Sequence, residues 1–381
     1  MAKNDNLKNF LVDVASAIRE REGSASLINP QDFAKRIRAI SGEGGGGEVE
    51  PSRPTYTGHA DAEGLRAIGW TDEDIAYYQE NGVNWNEEDD EYHKVSEDNK
   101  ALYGVLTADN ISTYKNRIVY LPKIDTSAKT STANMFSSCY ALVAIPYLNT
   151  QNVTSMLGMF QICYSLVSVP PMNTQKVTTM NNMFYYCYSL TSVPSMDTQN
   201  VTSMSSMFAF CSSLISVPPM NTQKVTTMNS MFSTCYSLTS VPPMDTQNVT
   251  SMNYMFQTCY SLTSVPPMNT QKVTTMNSMF HNCYSLTFVP SMDTQNVTNM
   301  NSMFHNCYSL TTAYIKNIKL SLGLGNSTNL TKDSLLYIIN NEAATSAITI
   351  TLASYAYTRL ANDADIVAAL ANHPNISLAS A

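Results

Sequence analysis

Eight cysteines, Cys139, Cys163, Cys187, Cys211, Cys235, Cys259, Cys283 and Cys307, follow one another at a constant step of 24 residues. Phe136, Phe160, Phe184, Phe208, Phe232, Phe256, Phe280 and Phe304 keep the same step, as do the methionine before each and the leucines from Leu142 to Leu310. A period in this range, with apolar residues at fixed offsets, is the signature of a solenoid. Within one unit Val177, Met180, Met183, Phe184 and Cys187 fall at helical spacing, which predicts a short helical turn with one buried stripe. Leu190 and Val193 then predict a brief β-like stretch that Pro194 ends, because proline has no N–H to give to a ladder. No single coil can bury its own face, so stacking on its neighbours at about 4.8 Å per rung must supply the core.

The unit M-F-x-x-C-x-S-L-x-x-V-P resembles the BspA-like class of bacterial leucine-rich repeats over residues 124–315. That resemblance implies an α/β solenoid, a leucine-rich-repeat-like right-handed coil of about eight units. Residues 124–132 fit the unit poorly, with Lys129 where later units place valine, and read as an opening cap. After Leu310 the run Thr-Thr-Ala-Tyr-Ile breaks the Val-Pro step.

A second order of repetition lies above the first. Units alternate between Met-Asn-Thr-Gln-Lys-Val-Thr-Thr-Met (172–180, 220–228, 268–276) and Met-Asp-Thr-Gln-Asn-Val-Thr-Ser-Met (196–204, 244–252, 292–300), a true period of 48. Like charges in directly opposed positions destabilise a ladder. Alternation separates Lys176, Lys224 and Lys272 from one another, and likewise Asp197, Asp245 and Asp293. Duplication of a two-unit cassette accounts for the same pattern.

The flanks differ. In 1–42, Leu7, Leu11, Val14 and Ile18 space as a helix, and Asn29-Pro30 opens a second with Phe33, Ile37 and Ile40, which together predict a helical hairpin. The run LKNFLVDVASAIREREGSASLINPQDFAKRIRAI is similar to a short module near the starts of bacteriophage tail and fibre proteins, which implies virion docking or oligomerisation. Residues 43–59 form a glycine-rich acidic linker, and 60–123 a small adaptor domain in which Trp70 precedes a capped helix start at Thr71-Asp-Glu-Asp74. Residues 316–381 return to α/β patterning: Thr331 caps a helix, Ile348, Ile350 and Leu352 alternate as a strand, a helix carries Ile366, Val367 and Leu370, and a last strand carries Ile376 and Leu378. A solenoid needs such a terminal cap.

Charge excludes some function classes. Only six charged residues lie in 133–310, three lysines and three aspartates, while 43–98 holds 16 acids against Arg53, Arg66 and Lys94. With a net charge of −8, nucleic acid is not an expected partner. No stretch reaches the ~18 apolar residues of a membrane helix, so no membrane insertion is expected. The start MAKNDNLKNF lacks the form of a secretory signal. The run Glu87-Glu-Asp-Asp-Glu91 lacks the alternating ligands and turn glycine of a calcium loop and reads as solvated.

No catalytic residue, cofactor or metal site is expected. A polysaccharide depolymerase needs two carboxylates converging on one bond, and the repeats offer only Asp197, Asp245 and Asp293 in equivalent turns. The cysteines read as small buried hydrophobes with free thiols. His281 and His305 share one offset, but zinc requires further ligands facing the same point.

The two residues after each phenylalanine vary while their surroundings hardly change: Ser137-Ser138, Gln161-Ile162, Tyr185-Tyr186, Ala209-Phe210, Ser233-Thr234, Gln257-Thr258, His281-Asn282 and His305-Asn306. Such an offset reads as solvent-facing, with Gln161, Ile162, Tyr185, Tyr186, Phe210, Gln257, His281 and His305 the candidate ligand-binding positions. Beside it runs a stripe of Tyr140, Tyr164, Tyr188, Tyr236, Tyr260, Tyr284 and Tyr308, broken by Ser212. Aromatic rows stack on sugars or anchor protein contacts, and equally form packed structural ladders. The expected role is a non-enzymatic virion protein, a tail fibre or receptor-binding component. It would recognise a host-cell surface glycan or protein, contact other virion proteins through 1–42, and trimerise as such fibres do. A bacterial surface adhesin or other repeat-based interaction protein is the alternative, and a depolymerase spike the third.

Overall fold

The computed structural model describes residues 65–66, 69–80, 106–115, 118 and 120–381. The hairpin expected in 1–42, the linker 43–59 and the acidic run 87–91 lie outside these residues.

The coils are a repeat solenoid, but their backbone is not helical. Across 180–187 the amides alternate between two kinds of partner. Met183, Tyr185 and Cys187 donate to the carbonyls of Met180, Asn182 and Phe184, three residues back. Met180, Asn182, Phe184 and Tyr186 donate instead to Ser203, Ser205, Met207 and Ala209 of the next coil. An α-helix would send every amide four residues back, so the helical turn expected over 177–187 is not formed. The cause is a left-handed residue at every fourth position: Asn182 has φ 55° and Tyr186 φ 61°. Each such residue closes one β-turn and swings the following amide out along the solenoid axis. Other coils place Ser206, Ser230, Tyr254, Ser278 and Ser302, with Gly158, at the first of these sites, and Ile162, Phe210, Thr234, Thr258, Asn282 and Asn306 at the second.

This chain of turns still presents one apolar face. Met180, Met183, Phe184 and Cys187 are fully buried, as are their counterparts in the neighbouring coils. The phenylalanines stack in one continuous column with ring centres 5.2–5.7 Å apart and planes within 7° of parallel. Seven thiols each donate to a phenylalanine carbonyl 27 residues earlier at 3.0–3.1 Å, from Cys163 to Phe136 through Cys307 to Phe280. All eight cysteines are free and buried.

The two-coil period has a hydrogen-bonding basis. Lys176, Lys224 and Lys272 donate their Nζ to Oδ1 of Asn152, Asn200 and Asn248 in the preceding coil at 3.1, 2.7 and 2.8 Å. Asn200, Asn248 and Asn296 in turn donate Nδ2 to the carbonyls of Gln175, Gln223 and Gln271. Lysine only donates, whereas asparagine donates and accepts. A column of lysines alone would therefore repel and find no acceptor, and strict alternation removes both faults. The Asp/Asn column is indifferent to charge in its turn, because Asp197 and Asn221 alike accept the N–H two residues on.

At the N-terminal side, α1 (Asp72–Glu80) opens with a reciprocal cap. Thr71 N–H donates to the Asp74 carboxylate at 2.8 Å, and Asp74 N–H to the Thr71 hydroxyl at 3.1 Å. Asp74 also accepts Tyr147 N–H at 2.7 Å, and Trp70 donates its indole N–H to the Leu121 carbonyl at 2.7 Å. Leu65, Trp70, Ile75 and Ile111, the last opening α2 (Ile111–Tyr114), share one core with the coils.

At the other end β1 (Phe288–Asp293) pairs in parallel with β2 (Thr312–Lys316). The expectation that proline ends the β-like stretch fails here, for β1 runs through Pro290. The register shifts between Val289 and Met292, and this irregularity accommodates the missing N–H. Beyond it, β3 (Leu322–Leu324), β4 (Ile348–Leu352) and β5 (Ile376–Ser380) form a parallel sheet in sequence order. The connections are α3 (Lys332–Asn340), α4 (Ser354–Leu360) and α5 (Ala364–Asn372). Thr331 caps α3 by accepting Ser334 N–H, and Asp363 caps α5 by accepting from Asp365 and Ile366.

Candidate functional site

The tyrosine stripe and the variable offset lie side by side on every coil but that of Ser212, because the turn that ends at each cysteine places them within four residues of one another. The stripe divides at Ser212 into two ladders. Tyr140, Tyr164 and Tyr188 stack at 5.3 and 5.1 Å with planes tilted by 29° and 28°. Tyr236, Tyr260 and Tyr284 stack more tightly, at 4.8 and 4.7 Å and within 8° of parallel, and Tyr308 follows at 5.5 Å with a 43° tilt. All seven rings are half-buried. Burial, then the neighbouring phenols, raises the pKa of Tyr236 and Tyr260, and burial with Tyr308 does so for Tyr284.

The break in the stripe coincides with the largest aromatic departure at the variable offset. Tyr186 stacks on Phe210 of the next coil at 4.2 Å and meets Tyr188 edge-on at 5.6 Å. Tyr185 meets Tyr186 at 4.4 Å and Phe210 at 5.7 Å, both edge-on. Four rings therefore form one half-buried cluster in the middle of the solenoid, beside the coil that lacks its tyrosine. Burial, with a hydrogen bond and the adjacent Tyr186, pushes the Tyr185 phenol up to about 12.

The expectation that the whole variable offset faces solvent is corrected at two coils: Ala209 is 1% and Ser233 5% exposed. Ala209 lies one coil on from Tyr185 and between Phe208 and Phe210 in the chain. Gln161, Ile162, Tyr185, Tyr186, Phe210, Gln257 and His281 are half-buried, and His305 is exposed. The second residue of each variable pair is also the left-handed one, with φ 63° at Ile162, 61° at Tyr186 and 64° at Phe210. All eight second residues, from Ser138 to Asn306, are half-buried. Of the candidates at this offset, Tyr185, Tyr186 and Phe210 gather in the cluster; Gln161 and Ile162 lie one coil before it, Gln257 two coils beyond Phe210, and His281 and His305 further on, where their rings meet each other at 4.9 Å.

Two exposed apolar residues escape a search for variable pairs. Leu157 (37% exposed) stands where Asn181 and Asn229 stand elsewhere, and Ile215 (45%) where Thr191 and Thr239 do. Their signal is an apolar residue where the later coils are polar, although the first coils also carry apolar residues at these offsets in Ala133, Val143 and Val167.

The thiols lie outside this surface chemistry. Burial pushes Cys139, Cys259 and Cys307 up to about 12 and raises Cys163, Cys187, Cys211, Cys235 and Cys283 as well. Among the described residues no group of three or more His, Cys, Asp or Glu is placed to hold a metal ion, and no helix is long and apolar enough to cross a membrane.

No curated protein sequence matches the chain. Among solved structures, the leucine-rich repeat protein of T. pallidum is 19% identical over 50% of this chain and 76% of its own, with a TM-score of 0.30. The plant peptide hormone receptor RGFR1, solved with RGF2, is 11% identical over 62% of this chain and 56% of its own, at TM-score 0.23. TLR13, solved with ssRNA13, is 10% identical over 72% and 45%, at TM-score 0.22. The chain thus spans less than two thirds of the latter two, and at these scores the repeat architecture rests on the ladders described above. A family profile matches 108–218 and again 216–318, together more than half the chain, and by that match the protein belongs to the family described as Mycoplasma protein of unknown function, DUF285.

Proposed function

We propose that the protein is a non-enzymatic recognition solenoid whose aromatic cluster binds a glycan or protein on a cell surface, carried on a virion as a tail-fibre or receptor-binding component. The observation that carries the binding role is the grouping of Tyr185, Tyr186, Tyr188 and Phe210 at the one break in the tyrosine stripe. Tyrosine combines a large apolar face with a polar tip, which suits both sugar rings and protein anchors. The virion setting is supported by the likeness of residues 7–40 to tail and fibre modules. Trimerisation would multiply a modest single-site affinity by avidity.

A second reading has support in the family description, which names Mycoplasma. Under it the same surface serves a bacterial adhesin or interaction protein. Both readings share the cluster, so one experiment addresses it. Tyr186→Asn with Phe210→Asn keeps a residue type that other coils hold at this left-handed site, so the fold should survive. The purified double variant should lose binding to a glycan array or to bacterial cells that the parent labels. Undiminished labelling would remove the cluster from the binding site.

A further inference from the structure

His281 and His305 occupy the same place on successive coils, with ring centres 4.9 Å apart and planes at 81°. The coil repeat fixes this juxtaposition: Phe280 and Phe304 beneath them stack at 5.6 Å, and the backbones are tied by Asn282 N–H donating to the His305 carbonyl at 2.8 Å. Neither imidazole donates or accepts a hydrogen bond within the described residues, so its nitrogens are uncommitted. His373, by contrast, faces Glu342 at 3.3 Å.

We propose that His281 and His305 together bind one transition-metal ion of the imidazole-preferring class, Zn²⁺, Ni²⁺ or Cu²⁺, between their two coils. Geometry supports the pairing. Imidazole nitrogens sit about 2.0–2.1 Å from zinc, and with a roughly tetrahedral angle between them the two ring centres fall about 5 Å apart. The observed separation therefore needs only rotation of the rings about their own side-chain bonds. A two-imidazole set without a carboxylate selects against Ca²⁺ and Mg²⁺, which demand oxygen ligands. Two protein ligands leave two positions of a tetrahedral ion open. Since His305 is exposed, water or a donor atom of a bound partner fills them.

The test is calorimetric titration of the full chain with ZnCl₂ and, separately, NiCl₂. The comparison is with a His281→Gln, His305→Ser double variant, whose side chains other coils already carry at this place in Gln257 and Ser233. One ion per chain should bind the parent, and the double variant should weaken that binding at least about tenfold. His373→Ala should leave it unchanged, and CaCl₂ should give no binding that depends on the pair. Equal affinity in parent and double variant, or loss of binding in His373→Ala alone, would overturn the site, as would a parent that takes up no ion at about 1 mM.

Discussion

In the coils, alternate amides across 180–187 leave their own segment and are satisfied 23 residues further on. In the C-terminal cap, α3 and α5 satisfy theirs internally and begin on side-chain caps at Thr331 and Asp363. The cap consequently has local elements with some stability of their own, whereas a coil has none until its neighbour is in place. The side chains follow suit. The cap uses ion pairs such as Lys332 with Asp363 at 2.9 Å, while the coils rely on identical residues stacked in columns and carry six charges in 133–310. A column is economical in sequence, but it transmits any fault to both neighbours.

The largest expected effect breaks a column at its centre. Phe232 is fully buried between Phe208 and Phe256, 5.6 and 5.7 Å away. Phe232→Ala should cost about 3–5 kcal/mol, through lost burial and a cavity that two stacked rings cannot close. Denaturation should then proceed in two steps, with the coils around 232 opening first. Thiol labelling reads this directly, because Cys211, Cys235 and Cys259 are buried with raised pKa values and react only on opening. A single transition with all eight cysteines labelled together would contradict this nearest-neighbour picture.

The second prediction joins the two regions. Ser334 on α3 is fully buried, and its hydroxyl both accepts Ala313 N–H at 2.9 Å and donates to the Ala313 carbonyl at 3.0 Å. This one side chain ties the first helix of the cap to β2. Ser334→Ala leaves both backbone groups unsatisfied and should cost about 1–3 kcal/mol. Hydrogen exchange should show the loss concentrated in β2 and α3, with amides near 180–230 unaffected. A uniform loss of protection would mean that cap and coils unfold as one unit.

The same contrast governs what could be read in advance. The phase of the coils was legible because eight copies agree on which residues are apolar, and all of those from Met180 to Cys187 are buried. Their backbone was not. A series of β-turns with left-handed residues four apart buries the same offsets as a helical turn, so periodicity alone cannot separate the two. The usual flag for left-handed backbone, glycine, occurs there only at Gly158; Tyr186, Ile162 and Thr234 hold the same conformation unannounced. In the cap, Thr331 and the alternation of Ile348, Ile350 and Leu352 announced their elements. Strand β3 did not, being three residues with Gly323 at its centre, and α4 has Ala353 at its N-cap, with no side-chain cap. At the site, the aromatic cluster showed as a departure between copies, whereas Leu157 and Ile215 sat at offsets that otherwise look conventional.

The smallest effect runs in the stabilising direction and isolates the backbone of the coil from its packing. Thr258 holds φ 61° with a β-branched side chain, at a site where the next two coils use Asn282 and Asn306 at φ 62° and 59°. Asparagine tolerates this region far better than threonine. The strain of a left-handed non-glycine residue is about 1–3 kcal/mol, and only part of it is relieved by the exchange. Thr258 is half-buried, and its backbone N–H to the His281 carbonyl is unaffected by the side chain. Its hydroxyl accepts from Asn282 Nδ2 at 3.4 Å, a role that an asparagine Oδ1 can take over, as Asn282 Oδ1 already accepts from Asn306 at 2.8 Å. Thr258→Asn should therefore raise stability by up to about 1 kcal/mol, seen as a higher melting temperature with an unchanged denaturant slope. The equivalent exchange at a right-handed position of the cap, such as Thr358 in α4, should give no gain, because asparagine there competes with the helix backbone. If both exchanges stabilise alike, the benefit comes from side-chain polarity, and the left-handed turns of the coil are not where the strain resides.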